Sequence, residues 1–251
     1  MLWNSSENFV QFTSTISQTK KYSDAIIRLE DGSRHKVHKF LLARDSEFFR
    51  KLFKYQSGSE YKLSNVTSRM LEKILDWIYN RRMDLNTSDA LKLLEEADYL
   101  CFDEVVSATI QTLQEILRPS NVLGIQSFCI QYNIAPLLTW CQGFTADRFA
   151  EVSQAEEFPV LSPEQFKSLF LNGGEVSFVT WEALKLWIQH DKDTRLQFLP
   201  ELLAVGEFEK LGDGHDQRVQ QLMQSFSLTR EEACKMTTKI VNREPKKCTL
   251  I

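Results

Sequence analysis

Two histidines three residues apart, His35 and His38, are the first side chains in this chain whose spacing could do chemistry. On a helix an H-x-x-H pair shares a face and can hold a metal ion beside a carboxylate. The residues around His35 follow a strand pattern instead, and no carboxylate motif accompanies the pair, so no metal site is expected. Five cysteines, Cys101, Cys129, Cys141, Cys234 and Cys248, form no C-x-x-C pair and read as reduced thiols. Cys129 and Cys141 are twelve residues apart with no second ligand pair, and small buried thiols on helices account for them. The G-x-G-x-x-G and G-x-x-x-x-G-K-[ST] phosphate cradles, the G-x-S-x-G nucleophile elbow and the H-E-x-x-H zinc helix are missing. The acidic pairs Glu95-Glu96, Glu156-Glu157 and Glu231-Glu232 read as solvated helix faces or first-turn charges. No catalytic, cofactor-binding or metal-ligating residue emerges, so a protein other than an enzyme is expected, with no cofactor.

Composition narrows the partners. The 251 residues carry a formal net charge of -4, which leaves no cationic excess to neutralise phosphates, so nucleic acid is not an expected ligand. With 43% hydrophobic residues the chain can bury a core without staples. Its apolar runs fall short of the roughly 18 residues a membrane span needs, and no secretory leader is legible. Reduced thiols and no leader place the expected location in the cytoplasm or nucleus.

The elements that must carry these residues begin with a strand at Ala25 to Leu29. Asp31-Gly32 provides a tight turn and Arg34 to Val37 a return strand. Phe40, Leu41, Leu42, Phe48, Phe49, Leu52 and Phe53 recur at helical spacing and predict a buried pair of short helices. Tyr61 to Leu63 predicts a short strand. Met70, Leu71, Ile74, Leu75 and Ile78 predict a helix with one apolar face, and two more follow over Leu91 to Leu100 and Val105 to Leu117. Arg118-Pro119 interrupts the pattern and marks a boundary. Everything beyond it reads as helical, with Ser153-Gln-Ala-Glu156 and Ser162-Pro-Glu-Gln165 both fitting reciprocal caps at helix starts. Gly212 and Gly214 mark a linker, followed by Val219 to Phe226 and by a unit opening on a Thr229/Glu232 cap and continuing through Met236 and Ile240. No internal repeat is found at a period of 20 to 50 residues, which argues against a solenoid or propeller within the chain.

The segments from Tyr22 to Leu29, from His35 to Ala43 and from Ser46 to Phe53 resemble the opening of a BTB/POZ domain. Leu63-Ser-Asn-Val, Leu75 to Tyr79 and Leu93 to Leu100 continue the resemblance in the family's order. Beyond Asn121, Leu123 to Phe128, Phe149 to Ser153, Phe158 to Ser162, Trp187 to Asp191 and Leu199 to Leu203 resemble a BACK domain. Together they look like the front of a kelch-like protein without the kelch repeats. The resemblance implies an α+β BTB/POZ domain over residues 9–117, a small sheet with helices, after a tail over 1–8. An all-α BACK domain is implied over 118–210, then a helical hairpin and tail over 211–251.

It also implies an adaptor that homodimerises, binds cullin-3 and presents an unidentified protein substrate for ubiquitin transfer. By family position, Phe9, Phe12, Ile16, Asp24 and Lys39 belong to the dimer interface, and Phe53, Tyr55, Tyr99, Leu123 and Phe128 face cullin. Packing on their own domain is the alternative for Phe9, Phe12 and Ile16, and His38 reads as a satisfied structural histidine.

Two departures stand out. The stretch Lys54 to Tyr61 is shorter than in relatives and holds no clear apolar-x-Glu cullin anchor, which supports a rival reading as a dimeric scaffold or competitor without cullin. Pro245 to Ile251 resembles the entry into a first kelch strand, where the sequence stops. Two other readings share those residues: Cys248 to Ile251 fits a prenylation signal, the one route to a membrane, and Thr249-x-Ile251 fits a PDZ ligand. The segment Val219 to Ala233 faintly resembles two helices of a ubiquitin-associated domain.

Overall fold

The computed structural model describes residues 5–172, 178–205, 215–231 and 233. Contacts divide the chain into two units, Met1–Leu117 and Arg118–Ile251, and each has its own core.

In the first unit, strand β1 (Ala25–Arg28) alternates inward Ala25 and Ile27 with outward Arg28. It pairs antiparallel with β2 (Arg34–Val37), Ala25 opposite Val37 and Arg28 opposite Arg34. Gly32 at φ +84° makes the turn, where its N–H donates to the Leu29 carbonyl at 3.1 Å. The Asp31 carboxylate accepts the Ser33 N–H at 2.8 Å, and its hydrogen bonds with Ser33 hold its pKa below the usual range. On the other side of β1 lies β3 (Glu60–Lys62), parallel to it, so the order is β2-β1-β3.

Helices supply the rest of this core. The first, α1 (Ser5–Thr19), begins inside the stretch read as a tail and packs against the helix Ser68–Asn80. α2 (Lys39–Asp45) and α3 (Glu47–Tyr55) share Ser46, which ends one and caps the other. α4 (Ser68–Asn80) starts on Thr67, α5 (Thr87–Tyr99) on Asn86, and α6 (Asp103–Glu115) follows a turn at Cys101. Ile27, Leu42, Phe49, Leu71, Ile74 and Leu93 are fully buried between sheet and helices. Two expectations need correction. Phe40, read as part of the buried helix pair, is 72% exposed, because Leu41 and Leu42 already fill the inward face of α2. Glu96, read as a solvated helix charge, is buried and accepts the Thr67 N–H at 2.9 Å and the Thr67 O–H at 3.1 Å.

The elements of the second unit are all helices among its described residues. α7 (Val122–Gln131) and α8 (Ala135–Asp147) form a hairpin, and α9 (Phe149–Val152) leads to a 3-10 turn at Phe158–Val160. α10 (Pro163–Asn172) opens on the expected reciprocal cap: Ser162 N–H donates to Gln165 Oε1 at 2.9 Å and Gln165 N–H to Ser162 Oγ at 3.2 Å. The other expected cap does not form. Ser153 ends α9 instead, its hydroxyl donating to the Ala150 carbonyl, and Gln154 to Glu157 make turns. Glu157 reaches back to accept the Gly124 N–H at 3.0 Å.

α11 (Phe178–His190) carries Trp187, the centre of this core. Its indole N–H donates to the Leu161 carbonyl at 2.8 Å, and the Phe166 ring stacks on it at 4.4 Å. The Arg195 guanidinium lies 4.4 Å from the same ring and donates to the Pro159 and Trp187 carbonyls, which ties α12 (Lys192–Arg195) to the core. A 3-10 turn at Leu196–Phe198, α13 (Leu199–Val205) and α14 (His215–Phe226) complete the unit, with α14 packed on α11. The Gly212/Gly214 linker, the Glu232 side chain, Cys234, Met236, Ile240 and the tail from Lys246 to Ile251 lie outside the described residues.

Candidate protein-interaction surface

Both early histidines are hydrogen-bonded within the first unit. His35 Nε2 lies 3.0 Å from Ser68 Oγ at the start of α4. His38 is buried, with Nε2 2.7 Å from the Lys21 carbonyl and Nδ1 2.7 Å from Tyr79 Oη. A carbonyl only accepts, so Nε2 carries the proton and Nδ1 accepts from Tyr79, whose oxygen in turn accepts the His38 N–H at 3.1 Å. Burial pushes the Tyr79 hydroxyl up to about 12; the His38 N–H opposes this and the Asp24 charge adds to it. Among the described residues, no group of three or more His, Cys, Asp or Glu side chains could hold a metal ion.

What the first unit presents is apolar surface on fixed elements. On α1, Phe9 is 42% and Phe12 56% exposed. Ile16, expected with them at the dimer interface, is 7% exposed and belongs to the unit's own core, the alternative given for it. Thr13 turns inward with it and donates to the Tyr79 carbonyl at 2.6 Å. Ile16, with Thr13 beside it, thus anchors α1 on α4, while Phe9 and Phe12 stay outside.

The expected charge pair Asp24 and Lys39 sits together, but not as an ion pair. Asp24 Oδ1 accepts the backbone N–H of Lys39 at 2.8 Å at the start of α2. Lys39 Nζ turns away to the Gly58 carbonyl at 2.8 Å, and lies 5.1 Å from the Tyr61 ring centre and 5.8 Å from that of Phe53. Tyr61 O–H also donates to the Gly58 carbonyl, at 2.8 Å. The short loop after α3 is therefore held from below by two side chains. Glu60, the glutamate of that loop, pairs across the sheet with Arg34 at 2.7 Å.

The residues expected to face cullin separate by exposure. Tyr55, at the end of α3, is 75% exposed, and Tyr99, at the end of α5, is 45% exposed. Tyr99 packs on Phe48 at 5.9 Å, and Phe48, Leu52 and Tyr55 follow a helical face of α3, so the two tyrosines cap one aromatic strip. Phe53 is half-buried against Tyr61 at 4.9 Å. In the second unit, Phe128 is half-buried and stacked on Tyr132 at 4.3 Å, while Leu123 is buried in its own core and offers nothing to a partner. Sequence reasoning missed the exposed Tyr22, Phe40, Ile130 and Trp140. For Phe40 the signal was present: it precedes a Leu-Leu pair that alone satisfies the helix's inward face.

The BTB/POZ domain model matches residues 14–117, and the model described as BTB And C-terminal Kelch, BACK, matches residues 122–211. The chain is a BTB–BACK protein. Mouse Kelch-like protein 41 is 26% identical over 203 residues, covering 78% of this chain and 33% of that protein. Human Gigaxonin is 27% identical over 202 residues, covering 76% and 34%. This BTB–BACK chain thus spans about a third of the length of the curated relatives it matches. Among solved structures, the BTB domain of human Gigaxonin aligns at 21% identity over 45% of this chain and 97% of that chain, with a TM-score of 0.41.

Proposed function

We propose that this BTB–BACK chain is a non-catalytic adaptor of the cytoplasm or nucleus that pairs with a second copy through α1 and α2 and docks cullin-3 through the α3–α5 strip. In that role it presents a protein substrate for ubiquitin transfer. The observation that carries the cullin reading is the strip of Phe48, Leu52 and Tyr55 along α3 with Tyr99 at the end of α5 against Phe48, its two tyrosines open to solvent. Exposed tyrosines on a rigid base lose little conformational freedom on binding and recur as interface anchors. Binding of the full chain to the N-terminal domain of cullin-3 tests this. The expected outcome is micromolar or tighter affinity that Tyr55→Ala weakens about tenfold or more, a common loss for a buried aromatic anchor.

A second reading has its own support. Glu60 is engaged with Arg34 on the sheet, so the short loop offers no free acidic anchor beside Tyr55. A dimeric scaffold, or a competitor of longer relatives that leaves cullin unbound, accounts for this geometry. Dimers with no measurable cullin affinity would decide for it.

A further inference from the structure

We propose that the solvent-facing side of the β2-β1-β3 sheet docks an acidic protein segment, whose carboxylates meet Arg28, Lys36 and Lys62. The strand register defines this face. Ala25, Ile27, Val37 and Tyr61 turn into the core, so their alternates Ile26, Arg28, Arg34, Lys36, Glu60 and Lys62 turn outward. Arg28 lies opposite Arg34 on β2 and beside Lys62 on β3, while Ile26 lies between Lys36 and Glu60. Neighbouring strands are about 4.8 Å apart, so three cations stand in one row across the sheet. Their charge is compensated at one end only. Glu60 pairs with Arg34 at 2.7 Å, whereas Arg28, Lys36 and Lys62 are exposed and make no ion pair among the described residues.

The fold itself does not call for this row. Like charges directly opposite on paired strands destabilise a sheet, and a threonine would suit the outward position of Arg28 better. A chain with a formal net charge of -4 nonetheless gathers three unpaired cations on one small, rigid face. An arrangement that weakens its own unit fits a surface kept for a partner. The lining selects the partner's chemistry. No outward side chain of the sheet is an aromatic ring on which a base could stack, and the overall negative charge opposes a polyphosphate, so nucleic acid fits poorly. Carboxylates one helical turn apart, about 5–6 Å, match the strand spacing. The Arg28 guanidinium can take one of them through two parallel N–H bonds, and half-buried Ile26 gives the face an apolar seat. None of these residues belongs to α1, α2, α3 or α5, so the proposal goes beyond the pairing and cullin readings and depends on neither.

The probe is a fluorescent, alanine-based helical peptide with glutamates at i, i+4 and i+8, titrated against the full chain by anisotropy. The expected result is saturable binding with a dissociation constant on the order of 100 μM in about 50 mM salt, lost at high salt. Arg28→Glu/Lys62→Glu should weaken it about tenfold or more. Lys20→Glu/Lys21→Glu changes the net charge equally in the exposed loop before β1, and should leave the affinity within about twofold. Arg28→Thr should weaken the peptide while raising the melting temperature by a few degrees, since it relieves the like-charge row. No saturable binding, an equal loss in both double variants, or a lower melting temperature in Arg28→Thr would overturn the proposal. Tighter binding of an oligothymidylate, or of phosphatidylserine vesicles, through the same residues would overturn it in favour of a nucleic acid or a membrane.

Discussion

Ser46 serves two helices with one fully buried hydroxyl. Its oxygen accepts the Phe49 N–H at 3.0 Å, capping α3, and its proton goes to the Leu100 carbonyl at 2.6 Å. Ser46→Ala leaves a donor and an acceptor unpaired in a dry site, so chemical denaturation is expected to show a loss of about 2 kcal/mol, more than an exposed cap costs. Tyr79 makes a different claim. Its pKa of about 12 in the folded chain exceeds the ordinary 10.0, so the unfolded chain ionises first. The associated stability is complete below pH 10 and is lost as pH rises toward 12. Melting curves across that range should fall more steeply for the wild type than for Tyr79→Phe. At neutral pH the same substitution should cost about 1–3 kcal/mol, since His38 Nδ1 and N–H lose their shared partner. The satisfied character of His38 was legible from its place after a strand, but its partners were not, because Tyr79 lies 41 residues away.

At the scale of elements, the entry to α4 shows how one segment borrows its cap from another. Thr67 Oγ1 accepts the Met70 N–H, a local bond that any hydroxyl before a helix can make. The Thr67 N–H and O–H both point to Glu96 on α5. Glu96→Ala should therefore loosen α4 as well as α5, costing about 2 kcal/mol and raising amide exchange in the first turn of α4, and Glu96→Gln should restore part of it. If exchange rose only in α5, the cross-helix cap would not be what holds α4. Short-range cues had uneven success here. Ser162 and Gln165 cap each other because α10 continues past them, whereas Ser153 and Glu156 have the same spacing but no helix to cap, since the chain turns toward the Phe158 contacts with Phe149 and Phe166.

At the scale of the whole molecule, the proposed self-pairing draws on Phe9 and Phe12, which face solvent while Ile16 holds α1 to its own unit. A Phe9→Asp/Phe12→Asp chain should keep its helical content, because neither ring is needed for the core, yet run as a monomer by light scattering where the wild type runs as a dimer. A wild-type monomer would refute the pairing. What the sequence alone determined was the order and type of the elements, the mixed first unit and the helical second one. Those follow from periods of two and 3.6 residues, from Gly32 and from the break at Arg118-Pro119, all short-range properties. Only the tertiary structure decided which of the regularly spaced apolar residues stayed outside. Ile16 and Phe12 share a stripe, as do Phe40 and its leucine neighbours, and periodicity cannot tell a core contact from a surface one until a facing element is in place. The same holds for Glu96: a partner distant in sequence, Thr67, brought within hydrogen-bond reach by packing, turned an expected surface charge into a buried cap.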